Sequence, residues 1–302
     1  MSGPFGSTSW IYATDVPWYG ARGVFSAGHR DGSTDLIDYV TIASTGNATD
    51  FGDPLAATQN QGGCSNGERG VFSGGGSSTD VIQYITIANT GNATDFGDLT
   101  LGRYGIAGAS DGSRGIFAAG YDGSAWAAGT IDYITIKTTG NATDFGDLIE
   151  LEGNSAGCNN KTRACIAGNQ GGTDDSIEYI TMQTTGNATD FGTLTGGNTE
   201  QPGGTDNDAD RGIYPGGSRA SVSNNTIDYI TISSTGNATD FGDLTEARYG
   251  VAAVSNGSRG VCAGGQGNNN VIDYVDISST GNASDFGDLT SGRHGAGEAA
   301  GD

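Results

Sequence analysis

Apolar and polar positions alternate in short runs along this chain, and the same runs return in the same order six times. In "IDYITI" at 131–136, Ile131, Tyr133 and Thr135 share one face, and Asp132, Ile134 and Ile136 share the other. Successive strand side chains point to opposite faces, so this run carries apolar bulk on both. Such a strand must be covered on two sides. β-Branched and aromatic residues also fill "RGIFAAG" at 114–120, and Gly, Asn, Asp and Ser bound both runs. No segment combines a 3.6-residue apolar period with capping residues, so almost no helix is expected.

Two anchors mark the repeat. "TGNATDFG" starts at Thr45, Thr90, Thr139, Thr185 and Thr235, and "TGNASDFG" at Thr280. An arginine followed by Gly or Ala and an apolar pair recurs at Arg22, Arg69, Arg114, Arg163, Arg211 and Arg259. From octapeptide to the next such arginine the spacing is 24, 24, 24, 26 and 24 residues, so length variation is concentrated in the other half of the unit. Each unit reads as four strands, in the third copy at 103–110 (a), 114–120 (b), 131–136 (c) and 142–148 (d). Six four-stranded units of about 45 to 50 residues predict an all-β, six-bladed β-propeller of antiparallel blades. Strand a is the smallest in side-chain volume, as in "GIAGA" from Gly105 and "GVAA" from Gly250. That suits the crowded axis of a ring.

The chain starts its first blade at strand b and ends on "SGRHGAGEAAGD", which matches strand a. Residues 292–300 are therefore expected to supply the innermost strand of blade 1 and close the ring. The competing assignment gives that place to "SWIYAT" near the N-terminus. With the first assignment, residues 1–21 form an arm and 22–302 a single propeller domain. The arm, with Trp10, Ile11, Tyr12, Trp18 and Tyr19, is expected to attach the ring to other proteins.

Glycine accounts for 55 of 302 residues, which calls for many tight turns or crowded backbones. The formal charge of −22, with 13 Lys plus Arg, repels nucleic acid and anionic membrane surfaces. No apolar run is long enough to span a bilayer, and the N-terminal segment lacks the pattern of a secretory signal. The four cysteines occupy apolar slots of the repeat and are expected to be buried free thiols, a Cys158–Cys165 bridge being the alternative.

The repeat resembles the kelch unit over residues 22–300. "GG" follows strand b at Gly74, Gly216 and Gly264, and tyrosine holds one slot of strand c at Tyr39, Tyr84, Tyr133, Tyr179, Tyr229 and Tyr274. Phe51, Phe96, Phe145, Phe191, Phe241 and Phe286 stand where kelch units usually carry Trp, so the chain is kelch-like. The longer phrase "IDYITISSTGNATDFGDLT" at 227–245 is similar to repeats of bacteriophage virion proteins, marine ones especially. That resemblance implies a tail-fibre or particle-surface component.

Six near-identical octapeptides are expected to be turns, Gly and Asn tolerating positive φ, with the Phe packed between blades and the Asp bonded to nearby backbone or to the strand-b arginine. Their Asn-Ala-Thr/Ser triplets are glycosylation acceptors only in a eukaryotic secretory pathway. No catalytic constellation stands out, so the chain is not expected to be an enzyme. The two histidines are too few for the His, Tyr and Cys cluster of a propeller copper oxidase. A propeller glycosidase would draw on Arg103, Arg248 and Arg293, which share one repeat position. Asp206, Asp208 and Asp210 form a D-x-D-x-D loop that offers carboxylates to calcium, or else a solvated acidic turn. The b–c loops vary most between copies, and variable loops on a rigid scaffold suit recognition. Arg30, Asp31, Tyr121, Trp126, Asp174, Asp175 and Arg219 are the candidate binding residues there. The expected partner is a host-surface glycan or protein, at a virion surface or in an extracellular setting. A secreted bacterial lectin-like propeller is the alternative.

Overall fold

In a computed structural model, residues 19–124, 129–149, 153–168, 175–195, 203–206, 209–219 and 222–302 are described. These contain no helix and form six four-stranded antiparallel sheets, arranged as a six-bladed β-propeller. From axis to rim, blade 3 is Ala107–Ser110, Arg114–Ala118, Thr130–Thr135 and Thr143–Asp147. Blade 1 takes its innermost strand, Gly297–Gly301, from the C-terminus, followed by Arg22–Ser26, Ile37–Thr41 and Thr49–Gly52. The ring closes by the first of the two expected assignments.

The core is six wedges, one between each pair of adjacent blades. Between blades 1 and 2, Val24, Ile37 and Phe51 meet Phe72, Ile85 and Ile87. Burial of each of these large side chains stabilises the ring by about 1.5–3 kcal/mol. The four thiols sit in these wedges, buried and free, in keeping with their apolar slots. Burial raises Cys64 and Cys158 well above an ordinary thiol and Cys262 to about 12, so all three stay protonated and inert.

The expected turn falls just before the octapeptide instead, at 41–44 in blade 1, where the Ser44 amide bonds the Thr41 carbonyl at 3.0 Å. Gly46 takes a positive φ but Asn47 does not, its side chain being used between blades, and the octapeptide has a different role. It is a two-sided clasp between blades. Gly91 and Ala93 donate their amides to the carbonyls of Phe51 and Asp53 in the preceding blade, at 2.7 and 2.8 Å. Asn92 Oδ1 accepts from the Asp53 amide at 3.1 Å. The same three bonds recur at the other five interfaces, including the closing one, where Gly46, Asn47 and Ala48 meet Phe286 and Asp288. On the receiving side, Phe51 bulges out of register: Ile37 faces Gly52 and Asp38 faces Asp50. The extra residue turns Phe51 into the wedge, edge-on to Tyr39 at 5.9 Å. Gly52 lies so close to the next turn that a Cβ would stand 2.5 Å from the Gly91 carbonyl. Glycine is therefore required on the receiving side.

The strand-b arginine does not pair with the octapeptide Asp, which is exposed. Arg69 instead lies over the Tyr84 ring at 4.5 Å and donates to the Ile136 carbonyl of the following blade. All six arginines repeat this arrangement, a cation–π contact within the blade and a bond to the next one.

Candidate functional site

A second ring of ties lies under the loop face. Asp38, Asp132 and Asp273, on the third strands of their blades, each accept from a threonine at the end of the preceding blade; Thr100 Oγ1 reaches Asp132 at 2.6 Å. Arg293, Arg103 and Arg248 enter beside them and pair with these carboxylates at 2.8–2.9 Å, all fully or almost fully buried. Arg103 also donates to the carbonyls of Ala119, Phe117 and Leu101. Each arginine is thus engaged inside its own blade, and the three do not converge on one site. Blade 2 has a neutral version: Gln83 replaces the Asp and still accepts the Leu55 amide at 2.7 Å, and Thr58 holds the arginine position.

The six innermost strands line an axial cavity of about 80 Å³. One level of it is Gly63, Gly108, Gly157, Gly204, Ala253 and Glu298. A Cβ on Gly108 would fall 1.8 Å from the Gly63 carbonyl oxygen, so the strands approach closer than side chains allow. Glu298 alone brings a long side chain to that level, and burial pushes its carboxyl up to about 8. The next level is polar apart from Ala300: Ser65, Ser110, Asn159, Asp206 and Ser255. Its members bond around the axis, Ser110 Oγ to the Ser65 carbonyl and the Asn159 amide to Asp206. Tyr19, the first described residue, hydrogen-bonds Asp206 here, at the channel end opposite the variable loops.

At the loop end, the strands are joined by backbone bonds that run around the mouth. Asn154 donates to Gly105, Gly105 to Asn60, Asn60 to Gly295 and Gly295 to Gly250, at 2.6–2.9 Å. All five residues have φ between 55° and 72°. Just outside them stand half-buried rings: Tyr104 with Tyr121 in blade 3, His29 with His294 in blade 1, and Tyr249 beside His294. Burial and the neighbouring His29 lower the His294 imidazole to about 4, so it is neutral at physiological pH.

Among the predicted binding residues, Arg30 and Asp31 are exposed near this mouth, bonded to Ser291 and Asn268. Tyr121 is bridged to Tyr104 through the backbone. Asp175 lends its carbonyl to the Leu194 amide. Arg219 lies in a small hairpin of Ser218–Arg219 with Val222–Ser223. Trp126, Asp174 and Asp208 lie outside the described residues. The two described aspartates of the calcium loop point to protein donors, Asp206 to the axial channel and Asp210 to Asn160 and Ser233. Among the described residues no group of three or more His, Cys, Asp or Glu side chains is arranged to hold a metal. Tyr104, Tyr249 and His294 were not singled out from the sequence. Their signal is there nonetheless, because each directly follows one of the three buried arginines.

No family model matches the chain, and no curated protein is found similar to it. No helix among the described residues is long and apolar enough to cross a membrane.

Proposed function

We propose that this propeller is a non-catalytic binding ring that presents its loop face to a partner, as a surface or tail-appendage component of a bacteriophage particle. One observation carries the binding role. The repeated polar groups (octapeptide, strand-b arginine and third-strand carboxylate) are engaged in joining blade to blade, whereas the groups that change from blade to blade gather at the loop-end mouth. A scaffold of identical joints with one variable rim is built for recognition rather than for bond-breaking. The virion setting rests on the repeat phrase alone.

A lectin-like role is favoured by the tyrosines at the mouth, since rings with one apolar face and one polar tip suit a sugar ring. The two readings part in a single comparison. Purified chain is tested on bacterial surfaces and on a glycan array, and native phage particles are searched for it by mass spectrometry. Detection in particles with Tyr121-dependent host binding supports the appendage. Glycan binding by a free secreted chain supports the lectin. Turnover of an arrayed glycan refutes both.

A further inference from the structure

The chain has two histidines, and folding brings them side by side from opposite ends of the sequence. His29 sits in the loop after the second strand of blade 1. His294 arrives with the C-terminal segment that supplies the innermost strand of the same blade. Their backbones exchange hydrogen bonds of 2.8 and 3.2 Å, and the ring centres are 4.9 Å apart with planes inclined by 44°. Nδ1 of His294 is buried and has no protein partner. In blade 3 the same backbone bridge is made by Tyr104 and Tyr121, so the bridge itself does not need histidine.

The spacing has a chemical meaning. An ion held tetrahedrally by one nitrogen of each imidazole, at about 2.0–2.1 Å, sets the two ring centres about 5 Å apart. We propose that His29 and His294 form a two-histidine site for a divalent transition-metal ion, Zn²⁺, Cu²⁺ or Ni²⁺, which clasps the C-terminal strand onto blade 1. Neutral imidazole nitrogen is a good ligand for all three ions, and water completes the coordination sphere. Arg30, the adjacent cation, is bonded to Ser291 Oγ, and the net charge of −22 draws cations to the surface. The place matters as much as the chemistry. Blade 1 is assembled from segments far apart in the sequence, so the ring opens there by separation of Gly297–Gly301 from Arg22–Ser26. A metal bridge between His29 and His294 opposes that step.

The test uses the full chain, freed of metal with a chelator and titrated with ZnCl₂ or NiCl₂ by calorimetry. Uptake of one ion per chain is expected, weakened by at least about 30-fold in His29→Ala and in His294→Ala. Zn²⁺ is expected to raise the melting temperature of the wild type by about 2–5 °C and to leave both variants unmoved. Cu²⁺ electron paramagnetic resonance on the wild type is independent of how well any variant folds, and two coupled nitrogens are expected. Absence of the two-nitrogen signal overturns the proposal. So does uptake of equal affinity in wild type and variants, which would place the ions on surface carboxylates.

Discussion

The buried ion pair of blade 3 offers a decisive test of what holds a blade together beneath the loop face. Arg103 and Asp132 are both 0 % exposed and 2.9 Å apart. Replacing Asp132 by Gln leaves a guanidinium without its counter-charge in a site closed to bulk solvent, a loss of about 3–5 kcal/mol. Replacing Arg103 by Thr strands the carboxylate, which keeps only the two Thr100 donors, for a loss of similar size. The double variant Arg103→Thr/Asp132→Gln recreates the residues that blade 2 carries at these two positions, Thr58 and Gln83, where the Gln side chain takes the Leu55 amide and the Thr hydroxyl has no partner. No charge is then buried, and the glutamine can still take the Thr100 amide. Some cost remains, because the Phe117 and Ala119 carbonyls lose the arginine. In blade 2 the Gly74 carbonyl, equivalent to that of Ala119, receives Gln61 Nε2 instead. The double variant is therefore expected to lose at least about 2 kcal/mol less than the two single losses added together. Urea unfolding followed by circular dichroism measures all three. A double variant as unstable as that sum would refute the reasoning.

Other outcomes follow from the same geometry. Gly97→Ala places a Cβ 2.4 Å from the Gly140 carbonyl oxygen at φ 149°, and should cost about 2–4 kcal/mol and speed amide exchange at Gly140 and Ala142. Gly91→Ala meets nothing within 4 Å and should cost clearly less; equal losses would remove the close-approach argument. Glu298, its carboxyl raised to about 8 from an ordinary value of 4.5, takes up a proton on folding between those pH values. Its contribution therefore weakens stability progressively from pH 4.5 to pH 8, by at most about 1.4 kcal/mol per pH unit. Glu298→Gln should flatten that slope and be the more stable protein at pH 8; parallel curves would count against a buried carboxyl. Deleting residues 1–21 should abolish incorporation into any native assembly while leaving the ring folded, as judged by circular dichroism, and unchanged incorporation would sink the attachment role of the arm.

Much of the architecture was legible in the sequence because it is written in local periods. The alternation in "IDYITI", the small residues of strand a and the spacing between the arginine and octapeptide anchors predict blades, their number and their order. The match of "SGRHGAGEAAGD" to strand a favoured the C-terminal segment over "SWIYAT" as the closing strand, since a repeat cut in two shows both ends. The apolar slots of the four cysteines likewise foretold burial. The rim is less legible: Tyr121 lies in a variable loop, whereas its neighbour Tyr104, and Tyr249 and His294, belong to the part of the repeat of nearly fixed length, so their place at the mouth shows only in the folded ring.

The unit was legible in the sequence: four strands, a Phe packed between blades, and six copies of each. Alternation and φ preference act between residues a few positions apart, so one copy suffices to specify them. The folded ring adds the bulge that turns the Phe into its wedge and, above all, the partner to which each unit is bound. The octapeptides are nearly identical, so nothing in them says that Gly91 and Ala93 reach back to Phe51 and Asp53, or that Arg69 reaches forward to Ile136. Those partners are set by closing the ring, which fixes the distance and hand between neighbouring blades. The meeting of His29 and His294 has the same origin: it exists because the two ends of the chain complete one blade.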